Sequence, residues 1–417
     1  MGQILFINQA RRLIRTGTPE IRLPNGQQLT FGDGSEPSVS IHIKDSAVFA
    51  AILRNPELAL GEAYMDGRLE VAGDDLRGLL ILAIRNADAG NLPPIQKLAG
   101  RARVALRLWA QRSPIAVARR NVEHHYEFPA AFYDLFMEED KQYTCAYFQS
   151  PEDTLEQAQA NKKAHIAKKL LLRPGMRVMD IGSGWGGLAI TLARDYGVHV
   201  TGVTLSNEQL GVARERAVAA GVADRVDFRL VDYRHVDEQF DRIVAVGMLE
   251  HVGQPQYGTY FRKISANLKD NGVALIHFIG RSGPPGATSP WIQKYIFPGG
   301  YIPALSEVMG AVEPTDLIAT DIEVWRGHYE RTIQHWEQRF EGNADKVRAM
   351  FDDRFVRMWR YYLAAAGVSF SDRFQVLYQL QLSKQLLTVP STRDYLYQHP
   401  AQMPAPQRSK ILESNDV

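Results

Sequence analysis

Apolar residues between about 160 and 280 recur in two rhythms that take turns along the chain. Short runs of strand length, RVMDIG (177–182), VHVTGVTL (198–205), RVDFRLVDY (225–233), DRIVAVGM (241–248) and GVALIHFIG (272–280), are largely apolar. Strands that read this way are covered on both faces. Between them stand helical stretches: ANKKAHIAKKLLL (160–172), GGLAITLARDYG (186–197) and SNEQLGVARERAVAAG (206–221). The last opens on Ser206, a residue type that caps helix starts by accepting a backbone N–H. Strand and helix in alternation predict a parallel α/β sheet.

The flanks follow other patterns. IRLPNGQQLTFGDG (21–34) carries Asn-Gly and Asp-Gly turn signals between strand-like runs, and AVFAAILRNPELALGEAYM (47–65) is helical. Together these predict a small mixed α+β domain over 1–95. After Glu323 the chain is expected to be helical and aromatic-rich, through HYERTIQHWEQRF (328–340), RMWRYYLAAAG (357–367) and FQVLYQLQLSK (374–384). GRSGPPGATSP (280–290) is expected to be a loop beyond a strand's C-terminal end, where ligands bind in such sheets. The organisation expected is a domain over 1–95, a basic linker over 96–120, the α/β domain over 121–389 and a flexible tail over 390–417.

Composition narrows the classes. With 48 Lys and Arg against 47 Asp and Glu the net charge is +1, so no global field draws the chain to nucleic acid, and no nucleic-acid partner is expected. Charge is local instead: Lys97, Arg101, Arg103, Arg107, Arg112, Arg119 and Arg120 stand within 24 positions free of acids. That stretch is either a solvated helix or a basic amphipathic segment resting on anionic headgroups. The single cysteine, Cys145, rules out an intramolecular disulfide and a multi-thiolate zinc site, so no metal is expected and a cytoplasmic setting is. No window approaches the ~18 apolar residues of a membrane span, and no secretory leader is expected.

Candidate chemistry clusters at strand ends. Asp180-Ile181-Gly182-Ser183-Gly184-Trp185-Gly186-Gly187 follows a strand and opens a helix, where glycines let backbone amides approach a ligand. A glycine loop alone is weak evidence. Here Asp180 stands two residues before the first Gly, the pattern of S-adenosylmethionine (SAM) sites, and the next strand ends in GVTLS without the acid that dinucleotide enzymes use. Glu250 follows an apolar strand; a carboxylate there is costly unless used, although it could simply be a helix-start acid. His277 inside ALIHFIG reads equally as a satisfied core residue, Cys145 as a small buried hydrophobe, and Tyr329 as a packing aromatic.

Taken in order and spacing, YTCAYF (143–148), VMDIGSGWGG (178–187), GVTLSNEQ (202–209), GMLEHVG (247–253), IHFIG (276–280), FPGGYIP (297–303) and HYERTIQHW (328–336) closely resemble the cyclopropane-fatty-acyl-phospholipid synthase family, with its mycolic acid cyclopropane synthase relatives. The resemblance runs from about Asn121 to Lys384, and more weakly through LALGEAYMDGRLEV (58–71) to the family's accessory domain. It implies a Rossmann-like class I SAM-dependent methyltransferase sheet with helical additions. It also implies methylation of a cis double bond in a phospholipid acyl chain, then proton loss that closes a cyclopropane. Carried over by position, Tyr143 and Thr144 would lie over SAM. Gly182, Ser183, Gly184 and Gly186 would form its loop, Thr204, Leu205 and Gln209 would meet ribose and methionine, and Asp232 and Tyr233 the adenine edge. A bicarbonate ion acting as base would be held by Cys145 and Ile279 through their backbones and by Glu250, His277 and Tyr329. Tyr126, Tyr143, Tyr147 and Tyr295 are the expected aromatic lining for a cation. The resemblance further implies a homodimer, peripheral to the inner membrane, and the domain over 1–95 together with the basic stretch 97–120 is expected to be its lipid-docking device.

The chain departs from the family at one place. Where many members carry a cysteine in a late helix, Ala365 stands here, which excludes a covalent thiol at that position. A methyl-branched lipid or a methylated amine remain alternative products of the same glycine loop.

Overall fold

The structure, a computed structural model, describes residues 2–87, 94–111, 128–372 and 375–397. Of the expected features, Arg112, Arg119, Arg120, Tyr126 and the tail beyond 397 lie outside these residues. The N-terminal part runs α1 (Gly2–Leu13), β1 (Thr18–Arg22), β2 (Gln28–Thr30), β3 (Ser38–Ile43), α2 (Ala47–Arg54), α3 (Pro56–Met65), β4 (Leu69–Val71) and α4 (Leu76–Asn86). The four strands form one sheet in the order β2-β1-β3-β4. Val39, Ile41 and Ile43 alternate inward along β3, the period-two pattern of a half-buried strand. Pro56 separates α2 from α3 because its ring lacks the N–H that would continue the first helix. Asp75 caps α4 by accepting from Gly78 N at 2.8 Å.

After α5 (Pro94–Ala110) the chain builds a second sheet from β5 (Arg177–Ile181), β6 (His199–Thr204), β7 (Val226–Leu230), β8 (Phe240–Val246), β9 (Leu268–Arg281), β10 (Ile318–Trp325) and β11 (Gln375–Ser383). Its order is β10-β11-β9-β8-β5-β6-β7. β9, β8, β5, β6 and β7 are parallel, while β11 runs antiparallel to both neighbours. From β5 the chain steps outward to β6 and β7, then returns to β8 on the other side. That reversal leaves a crevice at the C-terminal end of β5. The helices Gly187–Tyr196 and Asn207–Ala219 follow β5 and β6, and Ser206 caps the second by accepting from Gln209 N at 3.2 Å.

One expectation is overturned. The segment 374–384, read as helical, contributes β11. Gln379 and Gln381 fall on alternate positions of a strand buried on both faces, so helical and strand periods were confounded by two polar residues in an apolar run. The consequence reaches the site, because β11 sets Gln379 opposite His277.

The N-terminal part is not a free appendage. One hydrophobic cluster contains Ile41 and Leu79 from it together with Trp291, Trp336 and Trp359 of the larger part. At Gly61 in α3 the approach is so close that a Cβ would stand 2.4 Å from the Trp291 ring nitrogen. Arg77 adds an ion pair to Glu337 at 2.8 Å. The basic stretch is helical through Ala110, and two of its arginines are engaged internally: Arg103 with Glu57 at 2.7 Å and Arg107 with Glu307 at 3.2 Å.

Candidate active site

A cavity of about 230 Å³ occupies the crevice beyond β5. Its floor is the glycine loop. Gly182 and Gly184 have φ of +80° and +53°, which L side chains rarely adopt, and the amides of Gly182 and Ser183 both donate to Val203 O at 2.9 and 3.0 Å. The loop is thereby pinned to β6 and turned so that its outer edge faces the cavity. Asp180 enters from the end of β5 with Oδ2 buried and without a partner among the described residues; burial pushes its carboxyl up to about 7. Ser183 Oγ is likewise buried and unpartnered. On the β6 side Thr204 Oγ1 donates to Gln209 Oε1 at 2.9 Å, and Leu205 adds an apolar wall. Asp232 and Tyr233 close the far side; Arg234 holds both Asp232 oxygens, at 2.8 and 2.7 Å.

Gly186 stands apart from this set. It does not line the cavity; its φ is +82° and a Cβ would lie 2.6 Å from the Phe228 ring, so it serves the packing of helix on strand. Gly186 thus meets Phe228 in this structure, while Gly182 and Gly184 on the same loop line the cavity.

The opposite end of the cavity gathers Cys145, Glu250, His277, Ile279 and Tyr329. Glu250 Oε1 accepts from Ile279 N at 2.5 Å, while Oε2 is buried without a partner among the described residues. Burial raises the Glu250 carboxyl to about 7, with the Ile279 amide pulling the other way. His277 lies on β9, where Gln379 Nε2 stands 3.1 Å from its Nδ1. With that amide donating, Nδ1 is the acceptor and Nε2 carries the proton. Nε2 has no partner. Burial, aided by the Lys162 and Lys169 charges, pushes the imidazole well below its usual value, so it stays neutral. An acceptor and a donor, both unsatisfied, thus face one cavity. The Cys145 thiol donates to Ala146 O at 3.3 Å and burial raises it far above the thiolate range, which leaves its backbone as the usable part.

The aromatic lining differs from expectation in two places. Tyr143 lines the cavity and meets Tyr362 OH at 3.0 Å. Tyr147 lies one layer behind, stacked on Trp325 at 4.5 Å, and Tyr295 points away to Glu62 at 2.8 Å. Trp185, Tyr233, Phe297, Tyr301, Tyr329 and Tyr362 also line the cavity. Sequence reading also missed Lys162, buried on the helix Leu155–Lys169 and donating to Gln142 Oε1 at 2.9 Å and Thr144 Oγ1 at 2.7 Å. Burial lowers it to about 8. It ties down the 142–145 segment together with Gln159, whose amide donates to Gln142 O and Thr144 O. Its signal was a lysine spaced on the apolar face of a helix, which reads like any other lysine until the neighbours are known. Lys162→Met is expected to weaken SAM binding about tenfold, since a charge-assisted bond is worth ~1.5–3 kcal/mol. Calorimetric titration with SAM measures this, and an unchanged affinity would remove Lys162 from the positioning of Thr144.

A seven-stranded sheet of this order, with an acid–glycine loop at its reversal point, defines a SAM-dependent methyltransferase. Residues 115–380 match the family "Mycolic acid cyclopropane synthetase", and residues 7–90 match a domain family of unknown function. The chain belongs to the mycolic acid cyclopropane synthetase family. It is 37% identical over 354 residues to the cyclopropane-fatty-acyl-phospholipid synthase of Escherichia coli K12, covering 84% of this chain and 89% of that one. It is 32% identical over 397 residues to the tuberculostearic acid methyltransferase UfaA1 of Mycobacterium tuberculosis, covering 90% and 91%. Among solved structures, the mycolic acid cyclopropane synthase CmaA1 complexed with SAH and CTAB superposes with a TM-score of 0.61 at 27% identity, covering 65% of this chain and 99% of that one.

Proposed function

We propose that this methyltransferase converts a cis double bond of a phospholipid acyl chain into a cyclopropane. In that reaction the SAM methyl carbon bonds to one alkene carbon as its bond to sulfur breaks and S-adenosylhomocysteine leaves. The other alkene carbon becomes cationic; loss of one proton from the new methyl group then closes the ring. The observation that carries the reading is the pair of buried, unpartnered atoms at one end of the cavity, Glu250 Oε2 and His277 Nε2, beside an aromatic wall. An amine substrate would bring its own base and needs no such pair.

An alkene is a weak nucleophile, so the protein must hold the reacting atoms in line and keep water out. Tyr143, Phe297, Tyr301 and Tyr362 offer aromatic faces to the cationic carbon. Asp180, Ser183 and the glycine loop would hold SAM; its fit rests on the unpaired Asp180 Oδ2 and Ser183 Oγ. A bicarbonate ion fits the other end: His277 Nε2–H would donate to it, Tyr329 would flank it, and Glu250 would accept its hydroxyl proton, since two bare anions in contact would repel. Bound there, it would supply the base for the departing proton. Cys145 and Ile279 would hold it through their backbones. The chain would act as a homodimer at the cytoplasmic face of the inner membrane, and sedimentation of the purified protein tests the dimer. No described helix is long and apolar enough to cross a membrane.

The test is mass spectrometry of lipids after incubation with SAM and vesicles of cis-monounsaturated phospholipid. The expected product gains one methylene and loses its olefin signal. A gain of one methylene with the olefin retained would instead assign a methylene-branched product. Methylation of an added amine, with unchanged lipid, would overturn the substrate.

A further inference from the structure

A second cavity, of about 1380 Å³, continues from the end of the first; Ile279, Ile292, Phe297, Tyr329 and Tyr362 line both. It exceeds the ~300–1,000 Å³ typical of sites for compact ligands. One wall is the helix Asp353–Ser371, through Ala365 and Ala366. The other is not part of the methyltransferase sheet at all. It is made by the N-terminal part: Ile43 on β3, Ile52 on α2, Leu60 on α3, Leu80 and Ile84 on α4. Where the cavity meets solvent stand Arg54, Lys97 and Arg101, all exposed and none in an ion pair among the described residues. Arg103 and Arg107, by contrast, are occupied by Glu57 and Glu307. The two helices that border the opening, α1 and α5, turn large apolar side chains outward: Ile4 and Leu98 are each 67% exposed.

We propose that this cavity is an acyl-chain tunnel of which the N-terminal part forms one wall, and that Arg54, Lys97 and Arg101 hold the phosphodiester of a glycerophospholipid at its mouth. The proposal rests on the lipid reading above. An acyl chain that leaves a bilayer loses apolar surroundings worth ~0.8 kcal/mol per methylene unless the protein replaces them. The isoleucines and leucines of β3, α2, α3 and α4 do so over the stretch between the mouth and Tyr329. Three cations without acidic partners suit an anion that stays outside while the tail goes in. Outward Ile4 on α1 and outward Leu98, next to Lys97 on α5, fit a lipid surface, where apolar side chains sink below the headgroups and basic ones remain among them. The reacting double bond would thus reach Glu250 and His277 after its headgroup-proximal carbons have passed along the N-terminal wall. That gives the part of the chain matched by a domain of unknown function a defined task.

The decisive experiment uses the full chain and vesicles containing a phosphatidylglycerol with a diazirine on the headgroup-proximal half of an acyl chain. After irradiation and digestion, label is expected on peptides spanning Ile52–Leu60 and Leu79–Ile84. Label confined to the helix Asp353–Ser371 and its neighbours would overturn the proposal. Leu60→Trp and Ile84→Trp, which fill the tunnel from that wall, should each lower turnover on vesicles at least tenfold while the SAM-induced thermal shift is kept; unaltered turnover in both also overturns it. Joint Lys97→Glu and Arg101→Glu replacement should cut labelling at least fivefold at low salt, and equal labelling would refute the mouth. If the N-terminal peptides are labelled but no lipid product forms, the tunnel stands and the assigned reaction falls. Product with label elsewhere means the reverse.

Discussion

Glu250→Gln is expected to bind SAM as the unaltered protein does and to turn over at least about a hundredfold more slowly, the lower end of what a positioned proton acceptor contributes. The substitution keeps shape. Glutamine Oε1 can still accept from Ile279 N, so the β9 backbone stays fixed, and the change falls on the other atom, where an unpartnered acceptor becomes an NH₂ donor. His277 Nε2 already presents a donor to the same space. Two donors and no acceptor would leave any hydroxyl-bearing anion there without a home for its proton. The pH profile separates this from a structural role. Because burial raises the Glu250 carboxyl to about 7, activity that needs it ionised should climb as pH rises through about 7 and level off above. The variant should lose that inflection. Near-normal turnover with the inflection retained would take Glu250 out of the chemistry.

Which parts of this were legible beforehand follows from the range of the interactions. Asp180, Gly182 and Gly184 could be read because a strand, a tight turn and a helix start dictate residue types over a few consecutive positions. The Ser206 cap was legible for the same reason. Glu250 stood out as a carboxylate ending an apolar run. Gln379 did not, since its role exists only once β11 is inserted between β9 and β10, a pairing made about a hundred residues away from His277. Lys162 escaped for the same cause, its partners being Gln142 and Thr144 on another segment. Tyr147 and Tyr295 show the converse error: aromatic residues next to a motif share its sequence neighbourhood, but side-chain direction is settled by packing on Trp325 and by Glu62. Gly186 belongs to the loop by spacing and to the core by contact. Spacing locates a loop; it does not say which side of it faces the ligand.

Asp180→Asn is expected to stabilise the protein without SAM and to weaken SAM binding ten- to a hundredfold. Burial alone raises the Asp180 carboxyl from 3.8 to about 7. The folded state therefore holds its proton more tightly than the unfolded chain, and stability falls as pH rises from about 4 to about 7. Above that window the ionised group costs up to about 4 kcal/mol, at 1.36 kcal/mol per unit. Asparagine removes the charge, so at pH 8 the variant should melt several degrees higher than the unaltered protein, and at pH 4 the two should melt nearly together. SAM carries an ammonium and a sulfonium, and an unpaired buried carboxylate in its cavity is stabilised when such a cation arrives. The same charge that weakens the empty fold thus strengthens the filled one, and losing it should shrink the SAM-induced thermal shift. Melting curves at pH 4, 6 and 8, with and without SAM, check both halves. A variant that melts lower at pH 8, or that shifts as far with SAM, would mean that Asp180 meets a partner in solution which leaves its charge already compensated.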